Sequence, residues 1–185
     1  MNDGAERIAR DHFPPGEGVE WSRPGDFILV RGTSWRSRVA SSYARVRARG
    51  LEQRRCACWN HAALITGTDG TMVEAGTAGV ALTHLEKYRE DDYRYVAIRA
   101  TPQQRWRAVR FATARVGDRY GNLLLANLVV SPLTRGRVRF ENAGCEMCGT
   151  LVARALACAG ESFARLPADM LPADLAVHYG VHPAR

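Results

Sequence analysis

The chain has 185 residues, 46% of them hydrophobic and 24% charged, with no repeat or low-complexity tract. This composition excludes a largely disordered chain and is typical of one domain, which we expect over residues 1–185 with its core at about 20–180. The formal charge of +7 comes almost entirely from arginine, since Lys87 is the only lysine. Such a surface permits transient contact with an acidic partner or a membrane surface.

The first half of the chain predicts a helix and most of an antiparallel sheet. The apolar run Phe27–Val30 lies between Gly25-Asp26 and Gly32, as is typical of a short buried strand. Apolar residues recur at near-helical spacing from Trp35 to Val46, and the arginine-rich stretch from Arg47 to Arg55 is interpreted as a loop. Further strands, two of them joined by an Asp-Gly turn, are predicted at Ala62–Ile65, Met72–Ala75, Val80–Leu82 and Tyr93–Ala100.

The second half of the chain predicts three helices. They cover Pro102 to Val116, Cys148 to Ala159 and a short stretch that opens at Pro172. The stretch from Asn122 to Gly144 has no clear period and is interpreted as a lid or a surface excursion. The first of these helices is expected to bury one face made of Trp106, Val109, Ala112 and Val116. The predicted fold class is therefore α+β, with helices packed on an antiparallel sheet or small barrel of about five strands.

The cysteines and the N-terminal residues bear on the compartment. Five cysteines in a chain whose first residues lack the apolar core of a secretory signal favour reduced thiols in the cytoplasm. The longest apolar stretch, near Leu123–Val130, is too short to span a bilayer. A cysteine nucleophile is therefore chemically permitted, and we expect neither a cofactor nor a metal.

Cys148 and Cys145 both lie where the last strong helical run begins. A thiolate there is stabilised by the helix partial charge and by free N–H groups, which can also hold an oxyanion. Leu151 and Val152 follow Cys148 at helical spacing and anchor its helix, whereas the same offsets from Cys145 anchor nothing. Cys148 is therefore the preferred nucleophile. The N–H of Gly149 is a candidate oxyanion donor, and a crowded helix start is the alternative reason for a glycine.

His61 is the candidate base. It opens a predicted strand, and Glu74 lies in the next strand, so the carboxylate can accept a hydrogen bond from the imidazole. A base held by an acceptor is what a cysteine nucleophile needs. The remaining histidines lie in predicted termini or in a polar turn: His12, His84, His178 and His182.

The order of these residues resembles that of a known family, the circularly permuted papain-like hydrolases of the NlpC type, the YiiX-like group, in which histidine precedes cysteine. The matching stretches cover most of the chain and are Gly25-Asp26-Phe27-Ile28, Asn60-His61-Ala62-Ala63-Leu64-Ile65, Val73-Glu74-Ala75 with Gly79-Val80, Gly117-Asp118-Arg119-Tyr120, Cys148-Gly149-Thr150-Leu151-Val152 and Pro172-Ala173-Asp174-Leu175. The resemblance implies a permuted papain-like fold and cleavage, without a cofactor, of an amide, isopeptide or related acyl bond in a peptide-like or acyl-chain substrate. By position it implies Cys148 as nucleophile, His61 as base, Glu74 as the orienting residue and Tyr120 as part of the pocket.

Three other interpretations stay open. A lipid acyltransferase or thioesterase of the lecithin:retinol acyltransferase kind would use Cys145 and a membrane-surface substrate. A structural zinc site would need four thiolates, from Cys56, Cys58, Cys145 and Cys148. No nucleic-acid partner is expected, since no recognition helix or RNA-binding signature is present, but an arginine-rich binder would use residues close to Trp59, namely Arg45, Arg47, Arg49, Arg54 and Arg55.

Overall fold

The structure is a computed structural model that describes residues 12–17, 21–76, 78–118 and 148–183. Within these ranges the helices are α1 (Trp35–Arg47), α2 (Leu51–Cys56), α3 (Pro102–Thr113), α4 (Cys148–Cys158) and α5 (Pro172–His178), with short 3-10 helices at Leu85–Tyr88 and Pro167–Asp169. The strands are β1 (His12–Phe13), β2 (Phe27–Arg31), β3 (His61–Ile65), β4 (Thr71–Gly76), β5 (Gly79–His84) and β6 (Asp92–Val96). The predicted α+β class is confirmed.

The strands form one antiparallel sheet in the order β1-β6-β2-β3-β4-β5. The five longer strands are those that the sequence predicts, and β1 adds a two-residue edge. The predicted last strand is too long, because β6 ends at Val96. Beyond that point the N–H of Ile98 donates to the Asp26 carboxylate at 2.9 Å instead of continuing the sheet ladder.

The two faces of the sheet have separate cores. Side chains alternate along each strand, so neighbouring residues face opposite layers. One face packs on the helices through Leu29, Leu64, Val73, Leu151, Leu156 and Leu175. The other face carries Ile28, Val30, Ile65, Met72, Tyr88, Tyr93 and Tyr95. The stripe predicted for α4 is confirmed, since Leu151, Val152, Ala155 and Leu156 are all fully buried.

The predicted apolar face of α3 is wrong in part. Trp106 is 57% exposed and Val116 is 40% exposed, whereas Arg105 is buried with Ala108 and Ala112. The reason lies in Asp26, directly before β2. Asp26 is fully buried, and its Oδ1 accepts a hydrogen bond from the Arg105 guanidinium at 2.6 Å. The ion pair turns Arg105 inward, so the helix does not bury the apolar stripe that periodicity favours.

The predicted basic loop is also wrong, because Leu51–Cys56 forms α2. The amide of Gln53 donates to Asp174 of α5 at 3.2 Å, which ties α2 to the helical layer. Trp59 is 1% exposed and lies in the core. The arginines of α1 and α2 therefore have no aromatic surface at Trp59 for base stacking. Within the described ranges no helix combines the length and the apolar character needed to cross a membrane.

Candidate active site

His61 and Glu74 meet on the face of the sheet that points away from α4, the face that also carries Ala63 and Met72. The register of β3 and β4 pairs Ala63 with Glu74, so His61 is the diagonal neighbour of Glu74 rather than its direct partner. Diagonal neighbours on one face remain within reach of long side chains. The Nε2 atom of His61 lies 2.8 Å from Oε2 of Glu74. Only 5% of the Glu74 side chain is exposed, against 22% for His61.

Cys148 is the first residue of α4, and the packing of that helix start sets its position. A Cβ atom on Gly149 would lie 2.7 Å from backbone atoms of both Leu171 and Pro172. Glycine is therefore required there for close approach, which supports the crowded-helix reason for this residue. The Thr150 hydroxyl lies 3.3 Å from the Ala168 carbonyl oxygen, to which it donates, and so ties the same turn to the segment before α5.

The Cys148 sulfur and the His61 ring form a hydrogen bond. Because Nε2 faces Glu74, Nδ1 is the ring nitrogen left for the sulfur. The backbone N–H groups of Ala62 and Gly149 also donate to the sulfur. The nucleophile, base and orienting residue that the sequence predicts thus lie in one hydrogen-bonded line, at the point where α4 meets the first residue of β3.

Electrostatics favour a thiolate and an imidazolium in this pair. Burial opposes the charged form of both groups and is the largest single influence on each. Against it, the charge and hydrogen bond of His61 lower the pKa of the Cys148 thiol below its ordinary value. The charge and hydrogen bonds of Cys148 and Glu74 in turn raise the pKa of His61 to about 10. The directions of both shifts favour transfer of the thiol proton to the imidazole.

Neither protein-family models nor curated proteins give a match to this sequence. We therefore infer function from the geometry and electrostatics of the described residues. Tyr120, predicted to line the pocket, lies outside those residues. So do Cys145 and the segment Asn122–Gly144, for which the sequence predicts a lid or a surface excursion. The proposed roles of these residues stay predictions.

Two residues at this site were missed by sequence reasoning. The ammonium of Lys87 donates to Oε1 of Glu74, and the hydroxyl of Tyr88 donates to Oε2. Burial alone would raise the pKa of Glu74, but the His61 interaction and these two donors lower it to about 2. Lys87 had a signal in the sequence, as the sole lysine among 26 basic residues. Tyr88 had none.

The remaining described cysteines lie in different surroundings. Cys56 is buried, its thiol donates to the Val181 carbonyl at 3.6 Å, and burial, followed by the charges of Cys58 and Glu52, raises its pKa to about 11. Burial also raises the pKa of Cys58, and Cys158 is exposed at the far end of α4. Within the described ranges no three His, Cys, Asp or Glu side chains converge as metal ligands would.

Two of the other histidines have local structural partners. Nε2 of His84 lies 2.6 Å from the Asp69 carbonyl oxygen, and its Nδ1 accepts from the Glu86 N–H at the start of a 3-10 helix. Nε2 of His178 lies 2.8 Å from the Glu161 carboxylate. Neither is in contact with a cysteine in the hydrogen bonds of the described residues. Among the described histidine side chains, His61 is the one that contacts both a carboxylate and a thiol.

Proposed function

We propose that this protein is a cysteine hydrolase that cleaves an amide, isopeptide or related acyl bond through an acyl-enzyme. The observation that carries the proposal is the hydrogen-bonded line from Cys148 through His61 to Glu74. A thiolate, a base that can hold and return its proton, and an acceptor that orients the base are the parts that nucleophilic acyl transfer needs. The Glu74 side chain is buried, the pKa of the Cys148 thiol is lowered and that of His61 is raised, as these roles require.

The chemistry proceeds in two steps. In the first, the Cys148 thiolate attacks the carbonyl carbon, and the His61 imidazolium protonates the leaving group as its bond to that carbon breaks. This leaves a thioester on Cys148 and a neutral His61. In the second step His61 takes a proton from water, the resulting hydroxide displaces the sulfur, and the thiolate and imidazolium are restored. Glu74 accepts the His61 N–H throughout and stays ionised.

The negative oxygen that forms during each step needs hydrogen-bond donors near the sulfur. The start of α4 carries N–H groups that have no partner within the helix, and its partial positive charge favours an anion. The Gly149 N–H, which donates to the thiolate in the resting site, is available to the oxyanion once the sulfur becomes a thioester. We retain Gly149 as a candidate oxyanion donor on that basis.

The resemblance to permuted papain-like hydrolases of the NlpC type is consistent with this proposal, and membership of that family is part of it. The alternative acyltransferase interpretation depends on Cys145, which lies outside the described residues, whereas the described thiol in contact with His61 is that of Cys148. A reducing cytoplasmic setting, as the sequence predicts, would keep that thiolate free. The substrate is defined here by its reacting group, a carbonyl bonded to nitrogen, oxygen or sulfur.

Reaction with a thiol electrophile tests the nucleophile. At pH 6 we expect iodoacetamide to label Cys148 fastest, with sites assigned by peptide mass spectrometry. Cys158 is the matched control, because it is exposed on the same helix and has no histidine partner among the described contacts. His61→Ala should abolish the preference. Equal labelling of Cys148 and Cys158 in the wild-type protein would refute the assignment.

Acylation tests the reaction itself. A p-nitrophenyl ester should add its acyl group to the wild-type protein, seen as a mass increase of one acyl unit that decays as free acid forms. Cys148→Ala should show neither the adduct nor release of free acid above the buffer rate. Glu74→Gln should retain the adduct but form and lose it more slowly. Turnover that survives Cys148→Ala would contradict the proposal.

A further inference from the structure

We propose that Lys87 and Tyr88 are positioning residues that hold Glu74 as an ionised acceptor and limit how strongly it retains the proton on His61. The inference rests on the proposed function and extends it to two side chains that never touch the sulfur. Together the groups form a line of alternating charge, from the Cys148 thiolate through the imidazolium and the carboxylate to the ammonium. Such a line is neutral overall, although each member of it is ionised.

The hydrogen bonds of Glu74 divide between its two oxygens. Lys87 binds Oε1, while Oε2 is shared by Tyr88 and His61. Since three donors on two elements meet one buried carboxylate, its rotation is blocked and Oε2 stays directed at the imidazole. A buried carboxylate with fewer donors would tend to take up a proton and stop orienting the base.

The 3-10 helix that carries Lys87 and Tyr88 is held in place by contacts that do not involve Glu74. The Leu85 N–H donates to the Gly70 carbonyl at 2.9 Å. Nε2 of His84, directly before the helix, lies 2.6 Å from the Asp69 carbonyl oxygen. The two donors are therefore organised by the turn between β3 and β4 before the carboxylate is considered, which is what a positioning role requires.

The chemistry of lysine fits this position better than that of arginine. A guanidinium presents a planar fork that binds both oxygens of a carboxylate, whereas an ammonium is a compact point donor. At Oε1, an ammonium leaves Oε2 free for His61 and Tyr88. A chain that uses arginine for nearly all its basic residues retains its one lysine at this contact.

The ammonium matters most after the thioester has formed. In the acyl-enzyme the thiolate charge is gone, and His61 must be neutral to take a proton from water. An unopposed Glu74 carboxylate would keep His61 protonated and slow that step, whereas the Lys87 charge and the Tyr88 hydrogen bond weaken its hold. Loss of either donor should therefore slow deacylation more than acylation at neutral pH.

Other charged groups near His61 have to stay constant in any test. Among the described residues these are Cys148, Glu74 and Asp91. Burial raises the pKa of Asp91, while the charges of His61 and Lys87 lower it, so the three are close enough to interact. Substitutions at positions 87 and 88 leave Asp91 and Cys148 unchanged. A shift in the behaviour of His61 can then be assigned to the substituted donor.

The experiment compares Lys87→Met and Tyr88→Phe with Tyr95→Phe. The control removes a hydroxyl that donates to another buried carboxylate, that of Asp26, at 2.9 Å and away from the site. Deacylation of the p-nitrophenyl ester adduct is measured from pH 5 to 9. We expect the midpoint of its rise to move up by about one pH unit in both test variants, which slows deacylation about tenfold at pH values below the midpoint. Tyr95→Phe should leave the midpoint unchanged.

Failure of this inference can be told apart from failure of the proposed function. If the wild-type protein forms no adduct, the proposed function fails, and alkylation of Cys148 in the free protein still tests Lys87. In that case the alkaline part of the pH profile of Cys148 alkylation, where His61 loses its proton, should move to higher pH in Lys87→Met. Unchanged midpoints in both variants, with losses of stability like that of Tyr95→Phe, would overturn the positioning role.

The single lysine allows a direct check of the contact. Reductive methylation with ¹³C-formaldehyde labels the Lys87 amine and the N-terminal amine only, so the side-chain resonance can be assigned without ambiguity. In Glu74→Gln the ammonium loses its carboxylate partner, and we expect the methyl resonance of the labelled amine to change its chemical shift. An unchanged resonance would mean that the Lys87–Glu74 contact is absent in solution and would overturn the inference.

Discussion

Replacing His61 by alanine should convert Cys148 from a thiolate into an ordinary, partly buried thiol. In the wild-type protein the pKa of Cys148 is lowered and that of His61 is raised to about 10. We therefore expect the ion pair to persist through neutral pH and up to about pH 10, where His61 loses its proton. Across that range the rate of alkylation should be nearly independent of pH. Without His61 the rate should rise tenfold per pH unit until the thiol ionises by itself.

The size of the effect follows from the ionised fraction. An isolated thiol has a pKa near 8.5, so about one molecule in 300 is a thiolate at pH 6. The more basic thiolate is also more nucleophilic, by about threefold per pKa unit, which recovers part of this loss. Relative to a fully ionised Cys148, the rate at pH 6 should therefore fall by less than about 300-fold for an unpaired thiol of this pKa.

The assay is alkylation by iodoacetamide from pH 5 to 9.5, followed for the Cys148 peptide by mass spectrometry. Cys158 in the same samples reports the behaviour of an exposed thiol without the histidine. Circular dichroism at each pH checks that the variant remains folded. A wild-type profile that climbs in parallel with that of Cys158 would refute the ion pair, and the orientation argument for Glu74 would lose its basis.

Three further substitutions have expected outcomes. Glu74→Gln should flatten the loss of folding stability between pH 4.5 and 2. Because folding lowers the pKa of the Glu74 carboxylate to about 2, the carboxylate stabilises the fold above pH 4.5, and this stability is lost as the pH falls towards 2. The free energy of unfolding, measured across an acid titration, tests this. Gly149→Ala should cost about 1–3 kcal/mol, since its Cβ meets α5 at 2.7 Å, and should slow Cys148 alkylation. Arg105→Met should cost about 3–5 kcal/mol in urea unfolding by leaving the Asp26 charge buried without its partner.

Matched variants separate these effects from general damage. Glu86→Gln removes an exposed carboxylate that pairs with Arg89, and the acid profile should keep its shape. Gly50→Ala adds a methyl group where no atom lies within 4 Å, so its cost should be small. Arg165→Met breaks a more exposed ion pair at 3.3 Å, and its loss should be well below that of Arg105→Met. A reversal of any of these orders would contradict the packing or burial argument behind it.

The sequence by itself determined most of the elements and the three central residues of the site. Helix α4 could be read from the spacing of Leu151 and Val152, and the strands from short apolar runs bounded by glycine and aspartate turns. These signals are local, because periodicity and turn chemistry depend on neighbours in the chain. Cys148 at a helix start and His61 at a strand start follow from the same local reasoning.

Only the tertiary structure decided which side chains meet. The diagonal pairing of His61 with Glu74 depends on strand register, which a single sequence leaves open. The burial of Arg105 depends on Asp26, which lies 79 residues away in the chain. Lys87 reaches Glu74 because the turn between β3 and β4 holds its 3-10 helix. Each of these contacts joins segments distant in sequence, and no local pattern encodes the distance between their side chains.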